Sequence, residues 1–205
     1  GLESYNLDWT TGVAGQDARR LQADPAYQIL LTGSGGNNYY AVCLDTRVPA
    51  LAERRVRQAF SYALNRQRIV DSVLAGYGRA ASTIWPPQAL GYNVVQDHTY
   101  DYDLSRARQM LVAAGWNSNT TIPLRVTSNL PTDVAIAEIY QADLAQIGIT
   151  MRIVPMEAAA WLDQIFGRKY SAMMSSGDNS MNLSPGTPLN AGPSWKQMPN
   201  TSGFD

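Results

Sequence analysis

The chain has 205 residues, which fits one large domain or one and a fraction, with a core that removes roughly 70% of the unfolded surface from water. Hydrophobic residues make up 45% and charged residues only 16%, and Lys+Arg 16 against Asp+Glu 17 leaves a net charge of −1. That balance excludes the concentrated basic face that nucleic acid or a polybasic membrane contact requires, and one cysteine with one histidine excludes both an internal disulfide and a Cys/His zinc site.

The first stretch predicts a short helix from Gln16 to Ala23, stopped by Asp24-Pro25 because proline cannot continue a helix. A strand over Tyr27 to Leu31 follows. Gly33-Ser34-Gly35-Gly36-Asn37-Asn38 then reads as a flexible connector to a second apolar strand, Tyr39-Tyr40-Ala41-Val42-Cys43-Leu44. A phosphate cradle there would need a Lys-Ser/Thr pair and a helix next, and neither follows. Cys43 within that strand reads as a buried structural thiol rather than a nucleophile.

From Pro49 the apolar period becomes helical, with Ala52, Val56, Ala59, Phe60 and Ala63 on one face and Arg54, Arg55, Arg57 and Gln58 on the other. The three arginines could hold an anion but read first as a solvated helix face. Asn65 is placed to cap another helix, which Gly76 ends. A long loop with Trp85-Pro86-Pro87 then runs to about Tyr102, and loops of that length within a domain often carry function. His98 lies in it as a solvated loop residue. No serine, cysteine or carboxylate is tied to it by a catalytic motif.

Asp103 starts a helix that Gly115 ends, Ile122 to Thr127 alternates as a strand, and Asp133 to Ile147 is a helix stopped by Gly148. Ile149, Met151 and Ile153 give the period of another strand. A helix containing Trp161 and Leu162 leads to a short final strand, Tyr170 to Met174. Strand, helix, strand, helix, strand at this spacing calls for parallel pairing with right-handed crossovers, hence an α/β fold whose ligands gather at the carboxyl ends of the strands. After Met174 the chain is rich in Pro, Gly, Ser and Asn and supplies little core. No run of 18 apolar residues occurs, so no transmembrane helix is expected. The sequence begins without a signal peptide and stops in mid-pattern, and it reads as part of something longer.

Several of these segments, in order, carry a family resemblance. Tyr39 to Thr46, then Val56-Arg57-Gln58-Ala59-Phe60-Ser61-Tyr62-Ala63-Leu64-Asn65-Arg66, then Gly76-Tyr77-Gly78, Tyr102-Asp103, Leu111-Val112-Ala113-Ala114-Gly115-Trp116 and Ala142-Asp143-Leu144-Ala145-Gln146-Ile147-Gly148-Ile149 together resemble the extracellular solute-binding proteins of family 5, the dipeptide-, oligopeptide- and nickel-binding receptors of ABC importers. The resemblance implies a type II periplasmic-binding-protein-like lobe with a mixed, largely parallel sheet flanked by helices. It assigns residues 1–38 to the tail of a first lobe and the connector, and residues 39–205 to a second, C-terminal lobe. It further implies a non-enzymatic protein without cofactor or metal, and a peptide or similar small polar solute as ligand. ABC permease subunits are the implied partners, and the location is periplasmic or extracellular, with any lipid anchor outside this chain.

In peptide-binding members an aspartate just after the last strand pairs with the ligand's terminal ammonium. Asp178 matches by position, following a strand's carboxyl end in a polar loop, although Ser175-Ser176-Gly177 replaces the usual aromatic motif. A gapless alignment would put Ser180 in its place, and a turn-forming role for Asp178 stays open. The family's Glu-Trp pair is also changed, because Glu157 is followed by Ala158. The candidate ligand-binding residues are therefore Asp178, Asn179, Ser176, Trp85 and Tyr39. Trp85 qualifies as an aromatic plane braced by two prolines, with core packing as its other reading. Tyr39 is preferred over Tyr40 as the strand residue that reaches the cleft. A hydrolase or transferase, or a sensing scaffold that has lost transport, are the competing readings.

Overall fold

The structure, a computed structural model, describes residues 3, 8–10, 13–30, 38–83, 85–167 and 169–178, with backbone pairing alone for residues 38 and 175–178. The Gly33–Asn37 connector, Leu31, Asn179, Ser180 and the Pro/Gly-rich end of the chain lie outside the described residues. In chain order the elements are α1 (Gly15–Gln22), β1 (Asn38–Leu44), α2 (Pro49–Ala52), α3 (Arg54–Ala63), α4 (Arg66–Ser72), α5 (Val94–Asp97), α6 (Leu104–Ala113), β2 (Thr121–Thr127), α7 (Pro131–Ala145), β3 (Thr150–Met156), α8 (Ala158–Phe166) and β4 (Ala172–Asp178).

The four strands form one sheet in the order β1-β4-β2-β3. β2 runs parallel to both β3 and β4, and β1 alone runs antiparallel, on β4. The architecture is thus α/β with a mixed, largely parallel sheet. The β2-α7-β3 connection moves one way across the sheet and β3-α8-β4 moves back past β2. Two crossovers of the same hand in opposite directions place their helices on opposite faces. The packing agrees: Ile136, Ala137, Tyr140 and Leu144 of α7 join Ile122, Leu124 and Val126 of β2 in one buried core. α8 meets β2 on the other face, where Arg125 Nε donates to Gln164 Oε1 at 3.1 Å.

The main core also takes in α3 and α6, through Val56, Phe60, Ala63, Ala107 and Leu111. Phe60 is 1% exposed and edge-packs on Trp116 and Tyr140, with ring centroids 6.2 and 6.4 Å apart. Burying such a ring contributes about 2–3 kcal/mol. The Tyr140 hydroxyl donates to the Phe60 carbonyl at 3.0 Å, so this buried polar atom is satisfied.

Local chemistry sets most boundaries. The side chains of Asn65 and Asp103 cap α4 and α6 by accepting from Arg68 N and Arg106 N. Gly76, Gly115 and Gly148 take positive φ, although Ala75 joins Gly76 in the left-handed region at φ 52. Three expectations need correction. Residues 27–30 form no strand: Asp24 Oδ1 takes the Ala26 N–H in a turn, and no strand among the described residues offers this segment a ladder. The helix expected from Pro49 breaks at Glu53, which is extended (ψ 125) and caps α3 with its own side chain. The last strand does not stop at Met174 but continues to Asp178, because β1 supplies partners for Ser175 to Asp178. The loop after α4 is also more organised than two prolines suggest. Asp97, 1% exposed, gathers it by accepting from Arg79, Thr83 and Tyr92 side chains and by giving its backbone oxygen to Ser82 N.

Asp143, fully buried, ties α7 to the corner between α3 and α4: it accepts from Asn65 N at 2.9 Å and sits 3.2 Å from Arg68 Nη2. Removing Asp143 leaves the Asn65 N–H without its acceptor, while Arg68, 39% exposed, can turn to water, so the cost is about 1–3 kcal/mol. Asp143→Ala should therefore lower the unfolding free energy obtained from urea denaturation by that amount, and a loss below about 1 kcal/mol would show that the corner holds without it. At Gly148 (φ +80) an added Cβ meets nothing within 4 Å, so only backbone strain opposes it. Gly148→Ala should cost about 1–2 kcal/mol in the same measurement, and Gly148→Asn less.

Candidate functional site

The sheet reverses its winding between β2 and β4, and ligands in open α/β sheets settle outside the carboxyl ends of strands at such a switch. The register shows what is built there. Leu124 stands opposite Ala172 and Arg125 opposite Met173. Continued, that register brings Thr127, the last residue of β2, level with Ser175. Residues Ser176, Gly177 and Asp178 therefore run beyond β2, paired to Tyr40, Tyr39 and Asn38 of β1. On their other side no described strand accompanies them. The first turn of α7 opens from the same end of β2.

This pairing brings three of the candidate residues together: Tyr39 lies opposite Gly177, between the Ser176 and Asp178 pairs. Asp178 is the last residue of a strand and not a member of the loop beyond it, which corrects the expectation for that residue. Asn179 lies outside the described residues. Trp85 is not joined to this cluster by any hydrogen bond among the described residues. Its carbonyl accepts from Arg79 Nη2 at 3.3 Å, so it belongs to the loop organised by Asp97.

The two tyrosines divide between the faces of β1. Val42 and Leu44 pack on the main core, so Tyr40, at the same parity, lies on the face that α7 covers. Tyr39 shares the opposite face with Cys43. Burial raises the Tyr39 phenol above its ordinary pKa, and the neighbouring Cys43 adds to this. Tyr40 is 43% exposed, and burial together with the Asp133 carboxylate raises its phenol. Asp133 stands in the first turn of α7 and is only 3% exposed, and burial raises its carboxyl pKa. Sequence reading saw it as the start of a helix. The available signal was an acid three positions after Leu130, a residue that cannot cap.

Elsewhere the sequence candidates are ordinary. Burial pushes the Cys43 thiol up to about 11, so it stays protonated and unreactive at neutral pH. His98 is exposed, 3.2 Å from Asp101. Arg57 spends its guanidinium on the carbonyls of Leu51 and Ala52 at the end of α2, on the rim of a polar hollow of about 180 Å³ lined also by Arg54, Gln58, Ser61 and Tyr100. A second hollow, about 420 Å³, lies by Gly148 to Met151 at the amino end of β3, the end of the sheet away from the switch. Among the described residues no group of three His, Cys, Asp or Glu side chains is arranged as metal ligands, and no helix is long and apolar enough to cross a membrane.

Comparison with known proteins places this architecture among substrate-binding proteins. The fold matches the ABC transporter substrate-binding protein CtaP of Listeria monocytogenes with a TM-score of 0.74 at 22% identity, over 93% of this chain and 39% of that one. It matches the periplasmic binding protein DppA of Helicobacter pylori, solved with the peptide STSA, with a TM-score of 0.73 at 25% identity, over 87% and 34%. In sequence it is 32% identical over 171 residues to the dipeptide-binding protein of Escherichia coli (strain K12), covering 80% of this chain and 31% of that protein. The chain therefore spans about a third of the relatives it matches. Residues 1–198 match the family described as bacterial extracellular solute-binding proteins, family 5 middle. The chain belongs to that family, and the relatives named here are binding proteins.

The raised Asp133 pKa has a definite sign. A carboxyl that binds its proton more tightly in the folded state lowers stability as pH rises from the ordinary aspartate value, about 3.9, through its folded value, and the loss persists above. Asp133→Asn keeps the shape without the charge. Thermal melts should show the variant more stable than the parent at neutral pH and the two converging at about pH 3. Equal melting at neutral pH would mean that the buried charge costs the fold nothing.

Proposed function

We propose that the full-length protein is the solute-binding component of an ABC importer. It captures a peptide or similar small polar solute between two lobes and hands it to the permease. Residues 39–205 belong to its second lobe and residues 1–38 to the end of the first and the connector. The observation that carries this reading is the β4 overhang. A strand that runs three residues past its parallel neighbour, beside two tyrosines and a helix start, offers backbone donors and acceptors to an extended ligand lying along it. The peptide held by the H. pylori relative and the names of the sequence relatives support a peptide as the ligand class. In this reading Asp178 takes the ligand's ammonium at the end of the overhang, with Ser176 and Asn179 flanking it and Tyr39 beside it on β1. Trp85 contributes from the long loop once the lobes close. The protein works outside the cytoplasmic membrane, held at the cell surface by an anchor or by the permease.

Titration calorimetry on the full-length protein with di- to pentapeptides, sugars and nickel chelates tests the proposal. Peptides should bind and the other classes should not, and Asp178→Asn should weaken an amine-bearing peptide by about 1.5–3 kcal/mol, the worth of a hydrogen bond to a charged group. Binding of sugars or chelates alone would overturn the peptide reading. Unchanged peptide affinity in the variant would remove Asp178 from its assigned role.

A further inference from the structure

Four aspartates are buried among the described residues: Asp45, Asp97, Asp133 and Asp143. Three of them have an arginine. Asp45 accepts from Arg47 Nε at 2.8 Å, Asp97 pairs with Arg79, and Asp143 lies 3.2 Å from Arg68 Nη2. Each arginine keeps about a third of its side chain in solvent, so a carboxylate inside the fold is neutralised by a guanidinium that spans the surface. Asp133 is as buried as Asp45, at 3%, and pairs with no other described residue, while its carboxylate oxygens are not fully enclosed and keep a little contact with solvent. Buried charges are normally paired because an isolated one is costly.

Helix chemistry does not account for it. With Leu130 as N-cap, Asp133 is the third residue of α7, the place from which an acidic side chain reaches back to the N-cap N–H. Here that N–H is taken by the Thr127 carbonyl at 3.2 Å, which leaves the carboxylate free. The partial positive charge of a helix start supplies some compensation, generally less than a full counter-charge. The position is also particular. Of the four buried acids, only Asp133 is at the carboxyl end of β2, and it is close enough to Tyr40 to add to the burial that raises that phenol; Tyr40 is 43% exposed, and its backbone pairs with Ser176 of the overhang.

We infer that the missing counter-charge is brought by the solute: Asp133, with Tyr40 at its side, receives a cationic group of the ligand, and the preferred ligands carry an ammonium or guanidinium besides any amino terminus held by Asp178. This rests on the reading of the crevice as the solute site and adds the charge class of the solute. The acidic group contributes affinity only where a cation reaches it, so it selects among peptides instead of binding them all.

The test compares two dipeptides of nearly equal shape, alanyl-lysine and alanyl-norleucine, together with free arginine and cadaverine, by calorimetry on the full-length protein and its Asp133→Asn variant. The unaltered protein should prefer alanyl-lysine by about tenfold or more, the worth of one charge-assisted hydrogen bond, and the variant should lose that preference while its melting temperature does not fall. A purely structural role would not change the ratio of the two affinities. Leu162→Ser, on the exposed side of α8, serves as a control in which the preference persists. If both dipeptides bind equally to the unaltered protein, or if the variant keeps the preference, the role of Asp133 is overturned while peptide binding stands. If neither dipeptide binds but cadaverine or arginine does, and the variant loses it, the peptide reading falls and the role of Asp133 stands. If none of the four binds, both fall.

Discussion

The entry of β4 between β1 and β2 is the constraint on which this structure depends. β4 is the last strand in the chain, yet it occupies an inner position, antiparallel to β1 on one side and parallel to β2 on the other. Without it β1 would have no ladder, and the β2-α7-β3 unit would expose the edge of β2. The same placement forces α8 to pass back over β2 on the face opposite α7, which creates the switch point where the candidate site lies. At the opposite end of the sheet Asp45 N donates to the Ser171 carbonyl, so the β1–β4 pair is fastened just before β4 begins. Fold and site therefore share one cause. The strand that closes the sheet is also the strand whose last three residues overhang it.

Buried charge is used in two ways. Asp45, Asp97 and Asp143 each fix a piece of irregular backbone, respectively the turn after β1, the long loop and the α3–α4 corner. In each case the arginine partner reaches the surface, which limits the desolvation penalty that makes fully buried ion pairs poor stabilisers. Asp133 pairs with no backbone group among the described residues. A buried carboxyl that burial disfavours in its charged form, without such a partner, is the kind of local conflict that proteins retain at functional positions. The contrast is internal to one molecule, so it does not depend on any general scale of burial energies.

How much of this could be read from the sequence depended on how local each cause was. The caps at Asn65 and Asp103, the stops at Gly115 and Gly148 and the alternation of β2 and β3 are decided within a few residues, and the structure places them as expected. The length of β4 is decided by β1, more than a hundred residues earlier in the chain. Ser175, Ser176 and Gly177 carry no apolar alternation of their own, so the sequence alone predicts a strand that ends at Met174 and a loop that holds Asp178. The segment at residues 27–30 erred the other way, with apolar residues that have strand composition but no partner. Periodicity could place Tyr39 and Tyr40 on opposite faces but could not say which face α7 covers. Asp133 was invisible as a site because sequence shows a helix start and not its depth.

On the proposed function the captured solute must also be let go, and the arrangement at the switch point suits that requirement. The β4 overhang and Tyr40 lie at an edge instead of in an enclosed cavity, so this lobe alone surrounds only part of a ligand. When the remaining contacts come from a second body, affinity is tied to closure, because the ligand binds the closed form better than the open one by the contacts that closure adds. In the proposed two-lobed receptor a carboxylate without an arginine would strengthen this link. With the lobes apart water would screen the charge, and with them together the same charge would act at a lower effective dielectric and attract a cation several times more strongly. An arginine partner within the lobe, such as those held by Asp45, Asp97 and Asp143, would cancel that difference. On the proposal made above, leaving Asp133 without one would make the step from open to closed depend on the charge of what lies between the lobes.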